Sequence, residues 1–339
     1  MSNYNARDRI TLMQFNSLGR TGYSISSIGF GAWAIGGTWG EVRDEDSLGA
    51  LHKALDMGVN FFDTADVYGD GRSERLISRL RAERSEPFYV ATKAGRRLPK
   101  QTVEGYSREN LHAWVQRSLQ NLNAEAIDLL QLHCPPTDIY RSDDVFKVLD
   151  EMVALGMIRH YGISVESVEE AMLGIQYEGV QSVQIIFNLF RLKPTDTFFA
   201  EAQRRKVGIL ARVPLASGLL TGKMSASSSF AKDDHRAFNR NGEAFDKGET
   251  FSGVPYDIGL EAVERLRAIV PQGMSMTQFA LRWIGMFPSV TTSIPGAKNA
   301  LQAEQNFAAA DLPPLEPGVM QAAQAVYDEL IRSHVHSSW

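Results

Sequence analysis

Eight short apolar runs, rich in β-branched and aromatic residues, recur along these 339 residues with helix-like segments between them. That alternation constrains the fold more than any other feature. The runs are SIGFGAW (27–33), NFFDTAD (60–66), FYVATKA (88–94), AIDLLQLH (126–133), IRHYGIS (158–164), SVQIIFN (182–188), GILARVPL (208–215) and SVTTSIPG (289–296). Strand–helix alternation feeds a parallel sheet, and eight units favour closure into a (β/α)8 TIM barrel of the α/β class over an open sheet. Segments 44–58, 107–122 and 143–156 carry apolar residues at helical spacing, and two of them close on Gly58 and Gly156, the residue type favoured just past a helix end. The spacing also predicts a β-hairpin at about 12–24 and an additional amphipathic helix at about 316–332. A barrel of this length forms one unit, so a single domain over 1–339 is expected. One irregular stretch, 224–255, is too long for a routine connection; it follows the seventh strand and is expected to form a functional flap on the rim.

A formal charge of −5 leaves no basic surface for a phosphate backbone, so no nucleic-acid partner is expected. No apolar run approaches the roughly 20 residues that span a bilayer, and MSNYNARDRI lacks the apolar core of a secretory signal, which predicts a cytoplasmic protein with no membrane partner. Cys134 is the only cysteine, which rules out an internal disulfide and a multi-thiolate zinc site. His334 and His336 have a spacing used by some metal sites but no third ligand in a matching context, so no metal is expected. GFGAWA (29–34) fits G-x-G-x-x-A, yet Trp39 follows and no helix can start before Asp44, which argues against a dinucleotide phosphate turn.

Three runs end on proton-handling side chains. FFDTADVYG places Asp63 at a strand end and Tyr68 five residues later in a Gly-containing turn, VATKAG places Lys93, and LLQLHCPP places His133. In a parallel barrel the carboxyl ends of the strands converge on one rim, so these groups can meet around one substrate. A tyrosine with a pKa near 10 is a poor acid or base at neutral pH unless a neighbouring cation or hydrogen bond shifts it. Lys93 is placed to supply that cation, Asp63 to hold the ammonium, and His133 to donate to a carbonyl oxygen or relay a proton. Singly, each has a plainer reading as a solvated lysine, a structural histidine or a turn tyrosine; their coincidence at corresponding strand ends points to a site. Two other readings stay open: Lys93 as the Schiff-base nucleophile of a lyase or aldolase, and a cofactor-binding regulatory subunit with negligible turnover.

FDTADVYG, ATKAG, LLQLHCPP, YGISV, VQIIFN, VPLASGLLTGK and SIPGAKN, in this order and spacing, resemble the aldo-keto reductase superfamily along nearly the whole chain. The resemblance implies a barrel that binds a nicotinamide cofactor, NADP(H) in preference to NAD(H), and transfers hydride to a small aldehyde or ketone. It implies Tyr68 as general acid, Lys93 with Asp63 lowering its pKa, and His133 orienting the substrate oxygen. Ser164 and Gln184 would meet the nicotinamide carboxamide with Asn188 nearby. Pro214, Leu215, Ser217, Gly218, Leu219, Thr221, Gly222 and Lys223 would follow the pyrophosphate, and Gly296, Ala297, Lys298, Gln302 and Asn306 the adenosine end, with Lys298 on a 2′-phosphate. Gly31, Trp33 and Arg212 complete the expected set, Trp33 as a pocket wall. The chain departs from the family pattern at Val165, where Asn is frequent, at Arg212, where a ring that stacks on nicotinamide is common, and at Gln302, where an Arg would strengthen NADPH binding.

Overall fold

The computed structural model describes residues 13–37 and 42–339; the first ten residues, Leu12 of the expected hairpin and Trp39 lie outside them. A hairpin of β1 (Phe15–Ser17) and β2 (Ser24–Ser26) comes first. There follow β3 (Phe30–Gly31), α1 (Asp44–Asp56), β4 (Phe61–Asp63), α2 (Arg72–Glu83), β5 (Tyr89–Ala94), α3 (Arg108–Leu122), β6 (Ile127–His133), α4 (Asp143–Ala154) and β7 (Ile158–Ser164). Beyond these come α5 (Val168–Gly174), β8 (Val180–Ile186), α6 (Phe198–Arg205), β9 (Gly208–Arg212), α7 (His235–Phe238), α8 (Tyr256–Arg267), α9 (Met276–Ile284), β10 (Thr292–Ser293), α10 (Ala300–Phe307), α11 (Pro317–Val326) and α12 (Arg332–Val335).

Strands β3 to β10 lie parallel in chain order, the topology that strand–helix alternation demands. The bridges Ile28–Ser293 and Gly31–Gly296 bring the first strand onto the last and close the barrel. At this seam the Gly31 N–H donates to the Pro295 carbonyl at 3.0 Å. A Cβ on Gly31 would stand 2.4 Å from the Ile294 carbonyl oxygen, so only glycine lets the two backbones approach. The G-x-G pair is therefore a barrel seam, and among the described residues no helix starts before Asp44.

Side chains alternate across a strand, so residues two apart point the same way. Phe61, Ala91, Leu129 and Leu210 form a buried cluster inside the barrel with Leu18 and Ile25 of the hairpin, which plugs its amino-terminal end. Two positions on, the same face presents Asp63, Lys93, Gln131 and Arg212, and a further step along β6 presents His133. Register sets Lys93 beside Gln131, and His133 level with Ser164 and Gln184. The polar site is the layer above the hydrophobic plug.

The expected helices occur with trimmed ends. Gly58 and Gly156 take left-handed φ of 83° and 73° just past α1 and α4, and Ser107 caps α3 by accepting from the Asn110 N–H. The helix expected at 316–332 is α11 and α12 joined by a wider π-turn at Tyr327–Ile331. Segment 224–255 holds α7 and two short turns; Asp234, His235, Asn239, Glu249, Thr250 and Ser252 in it are buried, while most of 225–233 and all of 240–244 are exposed. Among the described residues no helix is long and apolar enough to cross a membrane.

Candidate active site

Lys93, buried to 1% exposure, sits at the centre of the polar layer. Its ammonium donates to Asp63 Oδ2 at 2.5 Å and to the Thr64 carbonyl at 2.8 Å, and stands 3.4 Å from the Tyr68 hydroxyl. The other Asp63 oxygen accepts from Gln131 Nε2 at 3.0 Å and Gln184 Nε2 at 2.7 Å, so two amides and an ammonium fix the carboxylate. The His133 ring stands edge-on to Tyr68, centroids 5.9 Å apart, and Trp33 lies nearly parallel to Tyr68 on another side at 6.2 Å. His133 Nδ1 is buried with no hydrogen-bond partner among the described residues.

The charges are set by this packing. Burial works against the Lys93 ammonium, but Asp63 and Tyr68 outweigh it and hold the group protonated, above the ordinary lysine range. Burial raises the Tyr68 phenol; Lys93 pulls it back, while Asp63 and Glu249 push the same way as burial, so the proton stays on at neutral pH. Burial, then the cations Arg96, Lys93 and Arg212, drive His133 well below its usual pKa and leave it neutral. With Asp63 and the Thr64 carbonyl as acceptors, the Lys93 nitrogen is held as an ammonium, a form with no lone pair for Schiff-base formation.

A cavity of about 410 Å³ opens at the carboxyl rim of the barrel. Asp63, Tyr68, His133, Ser164 and Gln184 line its floor, and Lys93 lies behind Tyr68 rather than on the surface. Gly31, Trp33, Arg212, Pro214, Leu215, Ser217, Gly218, Thr221, Lys223, Gly296, Lys298, Gln302 and Asn306 line the walls. Four expected residues do not. Asn188 uses its amide on the Val213 carbonyl, the Ser252 hydroxyl and the Phe190 N–H; Leu219 and Ala297 are buried in apolar clusters; and the Gly222 carbonyl accepts from Arg267. Val165 also points into the core, and its carbonyl accepts from Arg212 Nη2 at 3.0 Å. His336 bonds Asp196 and Tyr327 across the helical tail, while His334 is exposed.

Several site residues escaped the sequence reading. Gln131 is the lone polar residue within LLQL and shares the His133 face of β6, a readable signal. Glu249 and Arg96 gave none: Glu249 Oε1 lies 2.8 Å from Arg96 and 3.4 Å from Arg212, a contact between two rim loops and the end of β9 that are distant in sequence. Arg96 and Arg212 in turn hold Glu249 ionised against its burial. Arg236, in the 224–255 segment, lines the cavity near Lys298 and pairs with Asp234 at 2.6 Å. Cys134, Glu166 and Glu249 also bring three potential ligand atoms within 4.8 Å, but Arg96 binds both carboxylates.

The walls fit an extended anionic cofactor. From Val213 to Gly222 the backbone takes left-handed φ at Val213, Ala216, Ser217, Gly218 and Gly222, which folds the chain tightly along the cavity. Lys223, Arg236 and Lys298 supply positive charge on that side, and two buried polar atoms of cavity-lining residues, His133 Nδ1 and Arg212 Nε, have no protein partner among the described residues.

Comparison with known proteins matches residues 27–328 to the family model described as Aldo/keto reductase family. Aldo-keto reductase YhdN of Bacillus subtilis (strain 168) is 30% identical over 298 residues, covering 86% of this chain and 87% of that protein. A probable voltage-gated potassium channel subunit beta of Oryza sativa subsp. japonica is 29% identical over 334 residues, covering 93% and 96%. The structure of a glycerol dehydrogenase from Gluconobacter oxydans superposes with a TM-score of 0.75 at 27% identity, covering 95% of this chain and 96% of that one.

Proposed function

The chain belongs to the aldo/keto reductase family, and from that premise we propose that it is an NADPH-dependent oxidoreductase that reduces aldehydes or ketones to alcohols, with Tyr68 as proton donor. One observation carries this reading: Lys93 Nζ bridges Asp63 at 2.5 Å and Tyr68 at 3.4 Å at the floor of a cavity that also holds a neutral histidine. A bound reduced nicotinamide supplies the hydride. Tyr68 gives its phenolic proton to the carbonyl oxygen as negative charge grows there, and the Lys93 ammonium stabilises the phenolate left behind. Asp63, fixed by Gln131 and Gln184, keeps Lys93 charged and aimed. His133, being neutral, offers one N–H to the same oxygen without adding a charge that would repel Lys93.

Ser164 and Gln184 would hold the carboxamide, the Pro214–Gly218 stretch with Thr221 and Lys223 the pyrophosphate, and Gly296, Gln302 and Asn306 the adenosine end. Lys298, with Arg236 beside it, is the cation for a 2′-phosphate, and this basic end supports NADP(H) over NAD(H). A substrate of modest size would rest against Trp33.

A second reading has the rice relative's name behind it: a channel-associated subunit would keep the tetrad and turn over little. The test is fluorescence titration with NADPH and, separately, NADH, followed by turnover of a panel of simple aldehydes. Tighter NADPH binding with turnover is expected; binding without turnover favours the regulatory reading, and no binding to either nucleotide overturns the site assignment.

A further inference from the structure

Trp339 does not line the cavity, yet the structure ties it to the cavity wall through a short chain of contacts. Its indole lies over the buried Arg191 guanidinium, 4.2 Å from the ring centroid. Two glycines make the seat. A Cβ on Gly248 would stand 3.1 Å from the indole and one on Gly253 would stand 2.5 Å from it, and Gly253 also holds a left-handed φ of 78°. The indole N–H donates to both oxygens of Asp246, at 2.9 and 3.1 Å. Asp246 caps the next turn by accepting from the Gly248 N–H at 2.7 Å, and that turn, Lys247–Glu249, carries Glu249. The Glu249 carbonyl accepts from Ser217 in the cavity wall at 3.0 Å, and its carboxylate meets Arg96 and Arg212.

We propose that Trp339 is a positioning residue: by seating on Gly248 and Gly253 and fixing Asp246, it holds Glu249, and through Glu249 it holds Arg212, in the wall of the nucleotide cavity. The physical reason is economy of anchors. Residues Lys247–Gly253 form two successive single turns with no helix or strand of their own, so they depend on side-chain contacts for their place. Trp339 grips this segment at Gly248 and Gly253 and, just before it, at Asp246. A buried, doubly paired carboxylate is sensitive to small shifts of its backbone, because an ion pair loosened by an ångström in a dry site leaves charges poorly compensated.

Cys134 is a built-in reporter, being the only cysteine in the chain, buried, and 3.7 Å from Arg212 Nη2. In the unliganded protein, Trp339→Ala should speed labelling of Cys134 by a neutral thiol reagent at least fivefold. Trp339→Phe, which keeps a single aromatic ring and loses the indole N–H to Asp246 together with part of the surface seated on Gly253, should fall between Trp339→Ala and the unaltered protein, and it carries the test alone if Trp339→Ala does not fold. Ile25→Val, in the hydrophobic plug at the opposite, amino-terminal end of the barrel, controls for general loosening and should leave the labelling rate unchanged. The second readout rests on the proposed NADPH function: the NADPH dissociation rate should rise in the same order. Equal labelling in the Trp339 variants and the unaltered protein overturns the proposal, as does faster labelling with an unchanged NADPH off-rate. If the unaltered protein binds no NADPH, the NADPH reading fails and the labelling comparison alone decides the role of Trp339.

Discussion

At the scale of single residues, Tyr68 and Asp66 show how one turn can hold both a working and a strained group. Tyr68 keeps its proton at neutral pH because burial and two carboxylates outweigh the Lys93 cation, which is the state a proton donor needs. Tyr68→Phe should therefore leave NADPH affinity unchanged and lower carbonyl turnover by about 10²–10⁴-fold, read by titration and steady-state kinetics on one preparation. Parallel losses in affinity and turnover would contradict the donor role. Asp66 is fully buried, neither carboxylate oxygen has a partner among the described residues, and burial, then the nearby Glu74, pushes it up to about 7. An acid whose folded pKa exceeds its unfolded value of roughly 3.9 binds more protons folded than unfolded, so its cost is absent below pH ~4 and grows until about pH 7. Asp66→Asn should raise the melting temperature relative to the unaltered protein by a margin that widens between pH 4 and 7 and then levels, the underlying difference reaching at most about 4 kcal/mol. A margin independent of pH would show that Asp66 does not titrate in this window.

Among the elements, the strands explain why the sequence was so readable and where it fell silent. Parallel strands buried on both faces read as continuous apolar runs, so all eight were visible, and a proton-handling residue breaking such a run stood out at Asp63, Lys93 and His133. Gln131 broke a run in the same way and was legible in principle, since it shares a face with His133. Glu249, Arg96 and Arg236 were not, because their roles come from loops that meet only after the barrel closes. Asn188, just after β8, was read as lying near the nicotinamide; its amide bonds the Val213 carbonyl, the Ser252 hydroxyl and the Phe190 N–H. The ends of the outermost runs were overread for a related reason, as β3 and β10 span only two residues each and meet at the seam through isolated bridges. That short seam makes its one close approach decisive. Gly31→Ala would drive a Cβ against the Ile294 carbonyl, a backbone atom that cannot rotate away, so a loss of about 3 kcal/mol is expected. Thermal denaturation should fall by roughly 4 °C, taking an unfolding entropy near 0.7 kcal/mol/K for a chain of this length. An unchanged melting temperature would mean that the seam can open without cost.

Across the whole molecule, the plug and outer helices carry most of the apolar burial, while the rim that holds the nucleotide cavity is built from loops and ion pairs. A ligand that spans such a rim binds only the folded chain and stabilises it by mass action, whatever its chemistry. NADPH at 100 times its dissociation constant should add about 2.7 kcal/mol, which the same unfolding entropy converts to a rise of roughly 4 °C in melting temperature. This shift also separates the two ends of the cavity. Lys298 stands at the basic end beside the start of α10, where its backbone N–H donates to Gln302, and burial, then Arg236, lowers its pKa, so an anion placed there relieves an existing repulsion. NADPH and NADH differ only in the 2′-phosphate, so removing its cation should be felt by one nucleotide and not by the other. Lys298→Ala should weaken NADPH about tenfold, trimming its thermal shift by roughly 2 °C at the same concentration, and leave the NADH shift as it was. Equal losses for both nucleotides would place Lys298 on a part of the cofactor that they share, and no loss for either would move the 2′-phosphate toward Arg236.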